Sequence, residues 1–65
     1  MSIEALTDRE RAVLQLVAQG KANHAIAVEL GLRPPTVKGY LASIYRKLGV
    51  ANRVAAAVVW DRSQR

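Results

Sequence analysis

Between Asn23 and Leu48 the apolar residues fall into two helical registers parted by one glycine: Ile26, Ala27 and Leu30 run up to Gly31, and Val37, Leu41, Ile44 and Leu48 follow it. Spacings of three and four residues put each set on one face of a helix. A short helix, a connector of about three or four residues containing Gly, and a second striped helix make the helix-turn-helix unit, whose second helix is shaped for a DNA major groove. The pattern predicts an all-α fold and suggests a function with it.

Flanking signals extend the reading to four helices, over about 8–19, 24–30, 35–48 and 53–60, forming a single bundle-like domain of residues 1–65 with the helix-turn-helix at its centre. Thr7 and Glu10 have the S/T-x-x-E spacing of a capping box, which starts the first helix at about Asp8. Val13, Leu14 and Val17 form its stripe, and Gly20 stands where a left-handed residue ends it. Asn23 and Asn52 are candidate N-caps for the second and fourth helices, and Gly49 closes the third. Arg33 precedes Pro34 and Pro35. A residue before proline is pushed out of the α region, so Pro34 is expected as the extended cap and Pro35 as the first helical residue.

A chain of 65 residues without cysteine must build its core from aliphatic side chains, with neither disulfide nor thiolate-metal staples. The start, Met1-Ser2-Ile3-Glu4, has no basic and apolar signal regions, so a cytoplasmic location is expected. The apolar run Val54 to Trp60 is far below the ~18 to 20 residues needed to span a bilayer. Charge is unevenly spread. Residues 1–30 carry about −1 and residues 31–65 about +6, with no acidic residue between Gly31 and Trp60. Such a surplus suits a polyanionic partner, since crowded cations repel until phosphates neutralise them. A solvated basic surface is the plainer alternative.

Read together, Leu6-Thr7-Asp8-Arg9-Glu10, Asn23 with Ile26-Ala27, Thr36-Val37-Lys38, Lys47-Leu48-Gly49-Val50 and Asn52-Arg53 resemble the LuxR-type helix-turn-helix domain of NarL/FixJ response regulators and quorum-sensing regulators. The resemblance runs from Leu6 to about Trp60. It implies the output domain of a bacterial transcription regulator, with the third helix in the major groove and the fourth pairing with a second copy. It further implies base-facing positions at Lys38, Gly39 and Ala42, and phosphate contacts at Thr36, Lys47 and Arg53. Such domains are usually joined to a receiver or ligand-binding domain and work with RNA polymerase. The chain departs from the family pattern at Arg33-Pro34, where a Ser or Thr cap is usual, at Gly39-Tyr40, where His often follows, and at Ala55, which replaces an acidic residue.

Turning the third helix by ~100° per residue with its apolar stripe inward leaves Pro35, Gly39, Ala42, Ser43 and Arg46 outward and Lys38 at the flank. Only Lys38 and Arg46 have side chains able to read a base by paired hydrogen bonds, while Ala42 suits a thymine methyl. Arg33, Thr36, Lys47 and Arg53 are candidate phosphate contacts, with Asn23 at the start of the second helix. The fourth helix is apolar nearly all round. If Ala56, Ala57 and Trp60 face the core, then Val54, Ala55, Val58 and Val59, with Arg62 beyond, form a strip suited to a homodimer. His24 is expected exposed. One His and no Cys leave a transition-metal site short of ligands, Ser43 has no activating neighbour, and Glu4, Asp8, Glu10 and Glu29 suit caps and surfaces. Neither catalysis nor a cofactor is expected. The rival reading is a protein-interaction module that kept this fold and lost base reading. A membrane-binding basic helix is weaker, because the cations do not line one side of a long amphipathic helix.

Overall fold

A computed structural model describes residues 3–65; Met1 and Ser2, which open the expected domain, lie outside the described residues. A 3-10 turn, Ile3–Ala5, leads into α1, Asp8–Ala18, followed by α2, Asn23–Leu30, α3, Pro34–Leu48, and α4, Arg53–Ser63. Among the described residues there is no strand.

Local chemistry accounts for most boundaries. At α1 the Glu10 N–H donates to Thr7 Oγ1 (3.1 Å) and the Thr7 N–H donates to Glu10 Oε1 (2.8 Å), a complete capping box. At α4 the Ala55 N–H donates to Asn52 Oδ1 at 2.9 Å. The turns that end α2 and α3 share one design. Gly31 and Gly49 both sit at φ +68, a region that costs other residues a steric clash. Beyond them the Leu32 N–H reaches back to the Ala27 carbonyl (2.8 Å), and the Val50 N–H to that of Tyr45 (3.0 Å). These six-to-one bonds satisfy carbonyls left over at the helix end, and they bring Leu32 and Val50 against the core.

Four expectations need correction. Ala22, not Asn23, is the extended N-cap of α2. Asn23 is already helical, and its side-chain oxygen accepts from Arg53 Nη1 at 2.7 Å instead of capping the helix. Similarly Arg33, not Pro34, caps α3, and both prolines lie in its first turn. The first turn has no internal acceptors for its N–H groups, so two residues lacking N–H cost no hydrogen bond there, and the extended pre-proline conformation falls on Arg33. α1 ends one residue early, at Ala18, with Gln19 as its C-cap. α4 runs on to Ser63, three residues past Trp60, where Arg65 pairs with Asp61 one turn earlier at 2.9 Å.

α1 lies mainly against α4, and α2 against α3, with α1 also crossing α3. The core between them is aliphatic: Leu6, Val13, Leu14, Leu16, Val17, Ile26, Ala27, Val37, Leu41, Ile44, Leu48 and Ala56. Ala27, 2% exposed, is small enough to let α3 cross α2 closely. Tyr40, Tyr45 and Trp60 pack as a partly buried rim. One charged residue joins the interior, Glu10, with 4% of its surface exposed.

Candidate nucleic-acid interface

α3 divides sharply by face. Val37, Leu41, Ile44 and Leu48 are buried, while Pro34, Pro35, Thr36, Lys38, Gly39, Ala42 and Arg46 are exposed, and Ser43 and Lys47 are half-buried at the edge. The outward face is shallow. A Cβ built on Gly39 meets no atom within 4 Å, so packing inside the domain does not require glycine there. Its backbone can come as close to an external surface as a helix allows.

The positive end of α3 offers fewer donors than most helix starts. Pro34 and Pro35 have no N–H, and the N–H groups of Thr36 and Val37 both donate to the Arg33 carbonyl, at 2.9 and 3.2 Å. An anion arriving there would meet the helix dipole, the exposed Thr36 hydroxyl and the Arg33 side chain, without a cradle of backbone amides.

Four of the expected contact residues, Asn23, Ser43, Lys47 and Arg53, are half-buried and held by internal partners. Lys47 Nζ donates to Glu10 Oε1 at 2.9 Å, and Ser43 Oγ donates to Glu10 Oε2 at 2.5 Å. Arg53, half-buried, donates to Asn23 Oδ1 and to the Lys21 carbonyl, tying the start of α4 to the start of α2. Arg46 remains exposed, with one long bond from Nη2 to Ser43 Oγ at 3.4 Å. The outward-facing cations of the α3 surface are therefore Arg33, Lys38 and Arg46. Burial pushes the Glu10 carboxyl up, but the donors on it prevail: the Lys47 ammonium, the Ser43 hydroxyl and the Thr7 N–H bring it down to about 2.

Sequence reasoning took Glu10 for a capping residue and missed its second role. A signal was present. Glu10 lies three and four residues before Val13 and Leu14 and seven before Val17, on the stripe that α1 buries. A carboxylate on a buried stripe needs a cation or several donors.

On α4, Val54 and Val58 are 74% and 42% exposed, Ala55 is half-buried and Arg62 is exposed one turn further on. Ala56 is fully buried, with Ala57 and Trp60 packed beside it. Val59 is corrected from the outer strip to this inner side: three residues on from Ala56 and next to Trp60, it turns towards the core. His24 is exposed. Among the described residues no helix is long and apolar enough to cross a membrane.

The family described as bacterial regulatory proteins, luxR family, matches residues 4–60. The transcriptional regulatory protein DesR of Bacillus subtilis (strain 168) is 51% identical over 51 residues, covering 78% of this chain and 26% of that protein. The nitrate/nitrite response regulator protein homolog of Haemophilus influenzae is 41% identical over 63 residues, covering 97% of this chain and 30% of its own length. The transcriptional regulatory protein UhpA of Escherichia coli (strain K12) is 50% identical over 54 residues, 83% of this chain and 28% of that protein. The chain thus spans under a third of the length of these relatives, which are regulatory proteins. It belongs to the luxR family of bacterial regulatory proteins, as a DNA-binding helix-turn-helix domain.

Proposed function

We propose that this luxR-family domain is the output module of a bacterial transcription regulator, binding double-stranded DNA with α3 in the major groove. The observation that carries the reading is the outward face of α3. Gly39 and Ala42 leave a shallow centre between Lys38 and Arg46, with Pro35, Thr36 and Arg33 at its leading end, on a helix whose opposite face is fully buried. A rigid helix with a low, basic outer face can sit deep in a groove and place its cations on both walls.

Phosphate contacts by Arg33, Lys38 and Arg46, with Thr36 at the helix start, supply most of the affinity in this reading. Lys38 and Arg46 add direct readout, Ala42 lies against a thymine methyl, and Ser43 borders the same surface. Lys47, Arg53 and Asn23 brace that surface from behind. Two copies joined through Val54 and Val58, flanked by Ala55 and Arg62, would set two α3 helices about 34–36 Å apart on a roughly palindromic site. The length of the relatives supports a longer parent chain in which a receiver or ligand-binding domain controls this module, acting on RNA polymerase in the cytoplasm.

Selection of bound duplexes from a random pool, followed by titration across salt, tests the reading. The expected outcome is a modest specificity ratio and a steep salt dependence that Lys38→Ala reduces. A ratio above about 10⁵ that Lys38→Ala leaves unchanged would refute phosphate-dominated binding. The exposed Val54 favours one rival, an interaction module without base reading, for which selection would return no enriched sequence and duplex binding would be absent.

A further inference from the structure

We propose that Glu10 withholds Lys47 from DNA, so that the last basic residue of α3 acts as an internal counter-ion and the phosphate-contacting set is one cation smaller than the sequence suggests. The inference rests on the DNA-binding reading and deepens it. Glu10 comes from α1, 37 positions before Lys47, and its side chain is 5% exposed against 31% for the lysine. Oε1 accepts from the Lys47 ammonium at 2.9 Å and from the Thr7 N–H at 2.8 Å, and Oε2 accepts from the Ser43 hydroxyl at 2.5 Å.

A lysine that turned outward to a phosphate would leave this carboxylate buried with only two neutral donors. Removing one partner of a buried pair costs far more than a solvent-exposed phosphate contact returns. The ammonium therefore stays on Glu10 when DNA arrives. An already neutralised cation displaces no counter-ion from the duplex, so it adds nothing to the salt dependence of binding. The same carboxylate fixes the Ser43 proton inward. Towards DNA, Ser43 offers only oxygen lone pairs, one of them already turned to Arg46 Nη2, and it can accept from a base amine but cannot donate to a phosphate.

The test is the slope of log affinity against log salt for a mixed-sequence duplex, with folding checked by circular dichroism. Each phosphate contact contributes ~0.9 to that slope. Glu10→Gln/Lys47→Met removes both charges together and keeps net charge unchanged, and its slope is expected to equal that of the unmodified domain. Glu10→Gln alone frees the lysine and is expected to steepen the slope by ~0.9, a further three- to fourfold loss of affinity between about 50 and 200 mM salt.

A slope lowered by ~0.9 in the double variant shows Lys47 on a phosphate and overturns the inference. An unchanged slope in folded Glu10→Gln overturns it equally, since the lysine is then out of reach and not withheld. If Glu10→Gln does not fold, the double variant decides alone. Lys38→Ala keeps the two failures apart. A slope that it lowers leaves the DNA reading intact whatever Lys47 does, whereas absence of salt-dependent binding by the unmodified domain overturns that reading and this inference with it.

Discussion

Acid should destabilise this domain through Glu10, and the loss can be worked from the structure. The Glu10 carboxyl stands at about 2 in the folded domain against 4.5 for a free side chain, because the donors from Lys47, Ser43 and Thr7 outweigh its burial. Between these values the unfolded chain binds a proton that the folded domain refuses, so stability rises with pH there. The contribution is fully present above about pH 4.5 and disappears as pH falls through about 2. At ~1.36 kcal/mol for each pH unit of separation, it amounts to about 3 kcal/mol. For a domain of this size, whose whole stability is on the order of 3 to 10 kcal/mol, that is a large share.

The measurement is urea and thermal unfolding followed by circular dichroism from about pH 7 to about pH 2, on the unmodified domain and on Glu10→Gln. At ~4–8 °C per kcal/mol, the unmodified domain is expected to lose more than about 10 °C in Tm across the window. Glu10→Gln begins less stable at neutral pH and is expected to show a much flatter curve below pH 4.5. The two proteins are identical at every other residue, so the difference between the curves isolates Glu10. Parallel curves would refute the reasoning, since the buried carboxylate would then contribute nothing that depends on its charge.

Gly39→Ala should raise stability by ~0.5–1 kcal/mol, because the added methyl meets no atom of the domain and a mid-helix glycine is costly. The same change should weaken duplex binding, so melting and titration curves are expected to move in opposite senses. Val58→Asp, at a 42% exposed position, should leave the helical spectrum intact and lower self-association in sedimentation and binding to paired half-sites. Unfolding would mean that this side of α4 belongs to the core. Ile44→Ala, at a site with no exposed surface, should cost about 2–5 kcal/mol, read as a lower urea midpoint.

Much of the fold was legible because the signals are local. The capping box at Thr7 and Glu10, the Asn52 cap and the glycines after α2 and α3 each act within about five residues, and each appears at its expected place. The third-helix stripe was legible for the same reason: Val37, Leu41, Ile44 and Leu48 are all buried. Asn23 was misjudged because two local roles compete for its oxygen, and the winner, Arg53, lies 30 positions away. Val59 was misjudged because α4 is apolar nearly all round from Val54 to Trp60, so periodicity could not choose its inner face.

By itself the sequence determined how many α-helices form, where they start and stop to within about three residues, and which face of α3 turns inward, since caps, glycine turns and apolar spacing act between near neighbours along the chain. Only the tertiary structure decided which charges remain for a partner. Lys47 and Ser43 meet Glu10 across 37 and 33 positions, and Arg53 meets Asn23 across 30. Helical periodicity gives the direction in which a side chain points, but its neighbour there depends on how two helices cross. The crossing of α1 over α3 turned a residue that reads as a capping glutamate into the counter-ion of a lysine that reads as a phosphate contact.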